Sequence, residues 1–438
     1  MDAYELVRPW AKLSRLKDGA VAYHPLICHM ADVAAVTRAL WERAIAEGAR
    51  RSIAESCGLA EEDGGRWLAF WAGLHDLGKA CPAFQHQDAA GDVIREHLRA
   101  VGLARPGVPV PSKDAPHGVV SAKVLVTLLV AELGVAREVA TRVATAVGGH
   151  HGVLPQSKPV LDLSPYAVGD GPWDAVRRAL VRRLAHLVGL PDARPQRLDN
   201  AAAMFLAGLT SVADWIASIK EQFQYAIADA SLPPPDLSAY GALAEERAVA
   251  ALDRLGWTGW SPATDVRPFT ALFGVASPYP MQQATIDLAS LLDGPSLVII
   301  EAPMGEGKTE AAMYLADTWG IERGQRGCYF ALPTQATSNQ MYDRVREFLR
   351  QRYPGQVVNA QLVHGHAALA AEIEVLAEGA HQAIEVSNIH GDAGGSALAS
   401  VAAAEWFTRR KRGLLAPFGV GTVDQALLAA LQTRHVFV

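Results

Sequence analysis

The 438-residue sequence predicts an all-α domain followed by an α/β domain organised on a parallel sheet. Apolar residues recur at three- and four-residue spacing almost without a break up to about residue 228. The stretch "ASLPPPDLSAYG" then stops that periodicity, and from about residue 270 short β-rich runs alternate with helical segments. A chain of this length also exceeds what one hydrophobic core normally organises.

In the first part, "HMADVAAVTRALWERAIAEG", "SAKVLVTLLVAELG", "VATAVGGHH", "AVRRALVRRLAHLVGL" and "NAAAMFLAGLTSVADWIASIKEQF" each read as a helix with an apolar face. The longest apolar stretch, "VVSAKVLVTLLVAELGV", is short for a membrane span and contains Lys123 and Glu132, so it reads as a core helix. Three consecutive prolines mark the start of a linker, which gives a first domain over 1–228, a linker over 229–269 and a second domain over 270–438. In the second domain "SLVIIEAP", "GCYFALPT", "VVNAQLVHG" and "LLAPFGVGTV" are the expected strands, with the helix "NQMYDRVREFLRQRY" among them. The segment "AHQAIEVSNIHGDAGGSALASVAAAEW" reads as an insertion loop leading into a helix.

Composition narrows the function. With 50% hydrophobic and 20% charged residues the chain is an ordinary globular one. Its start, "MDAYELVRPWAKLSRLKDG", has no signal-peptide pattern, so a cytoplasmic protein without membrane contact is expected. Cys28, Cys57, Cys81 and Cys328 lack any paired short spacing and read as buried thiols. A formal net charge of -6 gives no whole-protein attraction to nucleic acid, so any DNA contact must be local.

The chemistry is concentrated in histidines and aspartates on apolar helices. His29 lies in "LICHMADVA", His75 and Asp76 in "LHDLGKA", His117 in "APHGVVSA", His150 and His151 in "GGHHG", and Asp214 in "SVADWIAS". One buried histidine is ordinarily a hydrogen-bonded core residue. So many polar groups on apolar faces are costly unless they share a partner, and imidazole with carboxylate suits a transition metal. Adjacent ligands on a helix point about 100° apart and can reach different ions, as in dinuclear centres that clamp the attacking and leaving oxygens of a phosphodiester. His24, five residues before His29, is the rival for the first ligand. His86 and His97 lie in polar surroundings and read as surface residues.

Together these stretches resemble the HD superfamily of metal-dependent phosphohydrolases, and more narrowly the HD nuclease domain of the CRISPR-associated helicase-nuclease of type I systems. The resemblance implies that His29, His75, Asp76 and Asp214 bind one ion and His117, His150 and His151 a second, with Asp76 bridging. The ions would be two divalent transition metals, Mn, Fe, Ni or Co. It further implies that Lys79 stabilises phosphate charge or protonates the leaving group, beside Asp76, and that Ser218 contacts substrate. Lys79 read alone would complete a helix C-terminus.

The stretch "SLVIIEAPMGEGKTEAAMYLA" is an apolar run, a glycine-containing loop with Gly305 and Gly307, then Lys308 and Thr309 opening a helix. Such a loop surrounds phosphates with backbone N–H groups, Lys308 on the terminal phosphates and Thr309 on magnesium, which makes ATP with Mg the expected ligand. The context resembles superfamily 2 helicases. Gln282 in "SPYPMQQATIDLA" then reads adenine, with Gln283 as its alternative, and Thr334, Gln335, Thr422 and Asp424 grip a nucleic-acid backbone. "EWFTRRKRGLLAPFGVGTVDQ" fits the same family, and its basic run Arg409 to Arg412 also reads as a solvated helix end.

A helicase of this kind needs an acidic motif after "VGTVDQ" and a second RecA-like domain. The expected fold is therefore an HD-type all-α domain followed by an incomplete RecA-like α/β domain. The expected function is a metal-dependent single-stranded DNA nuclease of CRISPR interference, with doubtful ATPase activity and a separate chain supplying the rest of the helicase. The implied partners are single-stranded DNA and a Cascade-type surveillance complex. A nucleotide phosphohydrolase and a non-catalytic fragment are the alternatives.

Overall fold

The computed structural model describes residues 3–15, 21–103, 111–230, 233, 235–258, 260–292, 294, 296–356, 358–363, 401–402 and 413–430. The chain divides into two compact units, one chiefly Met1–Ile45 with Ala49–Leu252, the other chiefly Asp253–Leu428.

The first unit is built round the helix Leu26–Arg43, which is buried at nearly every position as far as Trp41. Such a helix must be covered on all sides, and Glu61–Gly73, Asn200–Ala217 and Pro172–Val188 pack against it. Glu61, Glu62 and Asp63 occupy the first turn of Glu61–Gly73, where carboxylates complement the helix dipole. Trp67, Phe70 and Trp71 then bury its other end, where each large apolar side chain contributes about 1.5–3 kcal/mol. Asn200–Ala217 starts at Asp199, whose carboxylate accepts the Ala202 N–H at 2.8 Å. By length and composition alone this helix would cross a membrane, but 61% of it is buried within the protein. The apolar run around Lys123 forms the helix His117–Leu133 and packs against Arg137–Gly148.

Two close approaches shape the centre of this unit. After Glu61–Gly73 the chain makes a tight turn, Leu77–Lys79, and a Cβ at Gly78 would lie 2.0 Å from the His117 carbonyl oxygen. The helices carrying His117 and preceding His150 touch glycine to glycine. A Cβ at Gly118 would meet the Gly148 carbonyl oxygen at 2.5 Å, and one at Gly148 the Gly118 oxygen at 2.7 Å.

Three features of the helical part differ from the sequence reading. The helical domain also holds an antiparallel hairpin, β1 (Trp10–Arg15) and β2 (Val21–Pro25), with an irregular register between Trp10 and Lys12. Both strands are too short for their period-two pattern to stand out. The middle of the expected linker forms the helix Leu237–Arg254, which buries Leu237, Tyr240, Ala244, Ala248 and Leu252, because its apolar residues recur at helical spacing just beyond the prolines. His86 is buried rather than at the surface; its Nε2 lies 3.0 Å from the Leu103 carbonyl and its ring stands edge-on to Trp173. Cys28, Cys57 and Cys81 are buried free thiols, and Cys328 is half-buried and free.

The second unit is a parallel sheet of order β3-β6-β4-β5, formed by β3 (Cys328–Leu332), β4 (Val358–Val363), β5 (Val401–Ala402) and β6 (Phe418–Thr422). The crossover helix Gln335–Arg352 buries Met341, Val345 and Leu349 with Val358, Ala360 and Val420 of the sheet. The expected strand in "SLVIIEAP" pairs with no other strand among the described residues. Val298 and Ile300 pack toward the Phe269 and Tyr314 cluster, whereas Leu297 is 88% and Ile299 76% exposed. The alternation suits a strand, but a strand also needs a neighbour to accept its backbone hydrogen bonds. The insertion segment, apart from Val401–Ala402, and Arg409 to Arg412 lie outside the described residues.

Candidate metal centre

Five separate elements deliver the expected side chains to one place. His29 comes from the Leu26–Arg43 helix, and His75 and Asp76 from the turn that ends Glu61–Gly73. His117 opens its helix, His150 and His151 follow Arg137–Gly148, and Asp214 lies on Asn200–Ala217. Donor atoms of His29, His75 and Asp214 lie within 4.8 Å of one another, as do those of His117, His150 and His151, and those of His75, Asp76 and His150.

Asp76 faces both histidine groups. Its Oδ2 is 3.4 Å from His29 Nε2 and 3.4 Å from His75 Nε2, whereas its Oδ1 is 3.2 Å from His117 Nε2 and 3.7 Å from His150 Nε2. Asp214 Oδ1 completes the first group at 3.2 Å from His29 Nε2 and 3.7 Å from His75 Nε2. His151 Nε2 and His117 Nε2 face each other at 2.8 Å in the second. Two donors bound at about 2.1 Å to one ion lie about 3.0–3.4 Å apart, for right-angle to tetrahedral geometry. The observed spacings surround that range.

The donor set fits a cation by a second test. His29 Nε2, His75 Nε2, His150 Nε2 and Asp76 Oδ1 are all buried without a hydrogen-bond partner. Each such atom costs about 1–3 kcal/mol unless something satisfies it. Backbone carbonyls fix two of the three rings, those of His75 and His150, so that their Nε2 atoms point inward. His75 Nδ1 is 2.9 Å from the Ala72 oxygen and His150 Nδ1 is 2.8 Å from that of Val147. A carbonyl only accepts, so Nδ1 carries the proton and Nε2 is the ligand face of each neutral ring. Ser121 Oγ donates to the His75 carbonyl at 2.7 Å and accepts the Gly78 N–H at 2.8 Å, while Ser211 Oγ donates to the His150 carbonyl at 2.9 Å.

Charge follows the geometry. Burial opposes ionisation of Asp76 and Asp214, but the imidazoles around both, with Lys79 beside Asp76, hold these carboxyls well below the usual range. Burial opposes protonation of His75, yet the carboxylates beside it push it up to about 9. Burial lowers His117 to about 4 and takes His150 well below its ordinary value.

His24 is engaged elsewhere: its Nε2 lies 2.7 Å from Asp32 Oδ2, its Nδ1 accepts the Ala226 N–H at 3.2 Å, and the Tyr240 hydroxyl donates to Asp32 Oδ1 at 3.0 Å. The structure thus turns His29, not His24, toward Asp76. Lys79 Nζ pairs with Asp76 Oδ2 at 2.6 Å, and Ser218 Oγ donates to Asp214 Oδ1 at 3.1 Å. Sequence reasoning missed Lys12, whose Nζ donates to Ser218 Oγ at 2.7 Å. "WAKLSR" carries no motif, and only the hairpin brings its lysine here.

The expected nucleotide residues also gather. Gln282 Oε1 accepts the Tyr279 N–H at 2.9 Å and its Nε2 donates to the Gly307 carbonyl at 3.2 Å, whereas Gln283 turns outward to Asp287. Gly305 and Gly307 have φ of 91° and 74°, a region that favours glycine. Lys308 Nζ donates to the Ala302 and Pro303 carbonyls, and Thr309 Oγ1 accepts from Arg344 at 3.2 Å. Leu332 pairs with Thr422 across parallel strands, so Thr334, Gln335, Thr422 and Asp424 share the C-terminal end of the sheet. Thr334 caps the Gln335–Arg352 helix; Gln335 and Asp424 are exposed and Thr422 is buried.

A helical domain carrying one short hairpin thus brings two histidine groups together across a single aspartate. Residues 10–223 match the family described as "Cas3, HD domain". A CRISPR-associated endonuclease/helicase Cas3 from Thermus thermophilus is 36% identical over 95% of this chain and 43% of its own length. The crystal structure of T. fusca Cas3 has a TM-score of 0.79 and 34% identity, covering 98% of this chain and 45% of that one, and its ATP complex a TM-score of 0.78 with 33% identity. A chain in a CRISPR RNA-guided surveillance complex, pre-nicking, has a TM-score of 0.67 and 30% identity, covering 98% of this chain and 42% of that one. The chain spans about half the length of the curated relatives it matches.

Proposed function

We propose that the chain is a metal-dependent nuclease of CRISPR interference that cuts single-stranded DNA, and that its second unit belongs to an ATP-binding helicase domain. The observation that carries the nuclease reading is Asp76, whose two oxygens face two separate histidine groups that leave buried nitrogens unpaired. His29, His75, Asp76 and Asp214 would hold one divalent ion, and His117, His150 and His151 with the other Asp76 oxygen a second. Bound there, Mn, Fe, Ni or Co would supply Lewis acidity toward both the phosphate and water.

The chain's own residues do the rest. The backbone carbonyls of Ala72 and Val147 keep Nε2 of His75 and His150 free of a proton when the rings are neutral. Lys79 sits against Asp76 with its ammonium 5.3 Å from the Phe84 ring centroid, placed to offset charge on a phosphate or hand a proton to a leaving oxygen. Ser218 lies exposed at the rim, where substrate would enter.

For the second unit, Gln282, Gly305, Gly307, Lys308 and Thr309 support ATP with Mg, as does the similarity to the ATP complex of T. fusca Cas3. Thr334, Gln335, Thr422 and Asp424 would face a nucleic-acid backbone at the sheet end. The match to a chain of a surveillance complex supports a Cascade-type partner, and a cytoplasmic setting is part of the same proposal.

The test offers the purified, metal-loaded chain single-stranded DNA and deoxynucleotides separately. Cutting of DNA only, lost in His75→Ala with Asp76→Ala, is expected. Preference for free nucleotides, or unchanged cutting by the double variant, contradicts the proposal.

A further inference from the structure

The centre has a second lysine at its rim that none of the expected roles uses. We infer that Lys12 is a phosphate-binding residue of the nuclease site, its ammonium contacting a non-bridging oxygen of the scissile phosphate; this rests on the function proposed above.

The two lysines of the site are engaged differently. Lys79 Nζ is held by a carboxylate, Asp76 Oδ2 at 2.6 Å. Lys12 Nζ instead bonds a neutral hydroxyl, Ser218 Oγ at 2.7 Å, and that hydroxyl donates onward to Asp214 Oδ1 at 3.1 Å. An ammonium has three donors, so Lys12 keeps capacity for a phosphate oxygen after bonding Ser218. Ser218 is exposed and Lys12 is partly so, which puts the pair where a strand of DNA can reach it.

The hairpin is built to hold Lys12 there. Gln85 clamps its start: Oε1 accepts the Trp10 N–H at 3.0 Å, and Nε2 donates to the Trp10 carbonyl at 2.8 Å and the Lys79 carbonyl at 2.9 Å. The register slips between Trp10 and Lys12, the kind of irregularity that re-aims a side chain beside an active site. Lys12 then pairs across the hairpin with His24, one residue before the end of β2 and five before the candidate ligand His29. Lys79 Nζ lies 3.4 Å from the Ala11 carbonyl, so both lysines meet the same stretch of strand.

The test compares the 438-residue chain with its Lys12→Gln and Lys12→Arg variants in three readouts. Metal content should be the same in all three, because Lys12 is not a ligand. Cutting of single-stranded DNA should fall about a hundredfold in Lys12→Gln and recover largely in Lys12→Arg. The slope of log affinity against log salt for a single-stranded oligonucleotide, measured in EDTA, should fall by about 0.7 in Lys12→Gln, the signature of one lost phosphate contact. An unchanged salt slope overturns the inference whether or not the chain cuts. Loss of metal in Lys12→Gln overturns it too, since Lys12 would then support the cluster. Wild-type chain that binds metal yet cuts no DNA counts against the proposed function, and the salt slope still decides on Lys12.

Discussion

Asp76 is almost wholly buried, yet it stays ionised because four imidazoles and one ammonium lie within 4 Å of its oxygens. Removing that charge while keeping the shape separates its roles. Asp76→Asn is expected to strip both ions, whereas Asp214→Asn, whose side chain faces the His29 and His75 group, should strip one; metal analysis of the purified variants checks this. Retention of two ions by Asp76→Asn would refute the bridging role. His75 gives a pH dependence of definite sign. Its folded value of about 9 lies above the ordinary 6.5, so its charged form stabilises the metal-free fold fully below pH 6.5, and that contribution fades as pH rises through 9. A cation needs the neutral ring, so metal loading should release protons below pH 9 and weaken as the buffer is made more acidic. Calorimetry in buffers of different ionisation enthalpy measures that release.

The ligand candidates stood out in the sequence because each lies in or beside an apolar helical run, where a buried polar group needs a partner. Lys12 was not legible, since a lone lysine in a short strand looks like any solvated side chain. His86 misled for the opposite reason: its neighbours Gln85 and Gln87 are polar, but Gln85 is buried as the clamp on Trp10 and His86 follows it inside.

At the scale of elements, backbone contacts set the site as much as side chains do. The turn Leu77–Lys79 lies so close to the His117 helix that Gly78→Ala would drive a methyl into a carbonyl oxygen. A loss of about 3 kcal/mol is expected in denaturant unfolding, the upper end of ordinary overpacking because the obstacle is backbone. Gln85→Ala is the matching test of the hairpin. It leaves the N–H and carbonyl of Trp10 without their side-chain partner, which should cost about 2–4 kcal/mol. The helices were readable from their three-and-four periodicity. The hairpin escaped because its strands are short, and the run before the phosphate loop was read as a strand because alternation shows in sequence, while the lack of a paired neighbour among the described residues does not.

For the molecule as a whole, the proposal assigns two chemistries to two units. Lys308→Ala is expected to lower ATP affinity at least tenfold in equilibrium binding while leaving metal content unchanged. A loss of metal in that variant would mean that the two sites are not separate. Because buried donors are left unpaired without a cation, ligation should stabilise the fold. At a hundredfold excess over the dissociation constant the gain is about 2.7 kcal/mol, or roughly 5–10 °C in melting temperature, and EDTA should reverse it.

Anomalous diffraction from crystals of the manganese-loaded chain tests the central claim most directly. Two peaks about 3.5–4 Å apart are expected, one between His29, His75 and Asp214, the other between His117, His150 and His151, with Asp76 between them. A single peak at His24 and Asp32, or none among these side chains, would contradict a dinuclear centre.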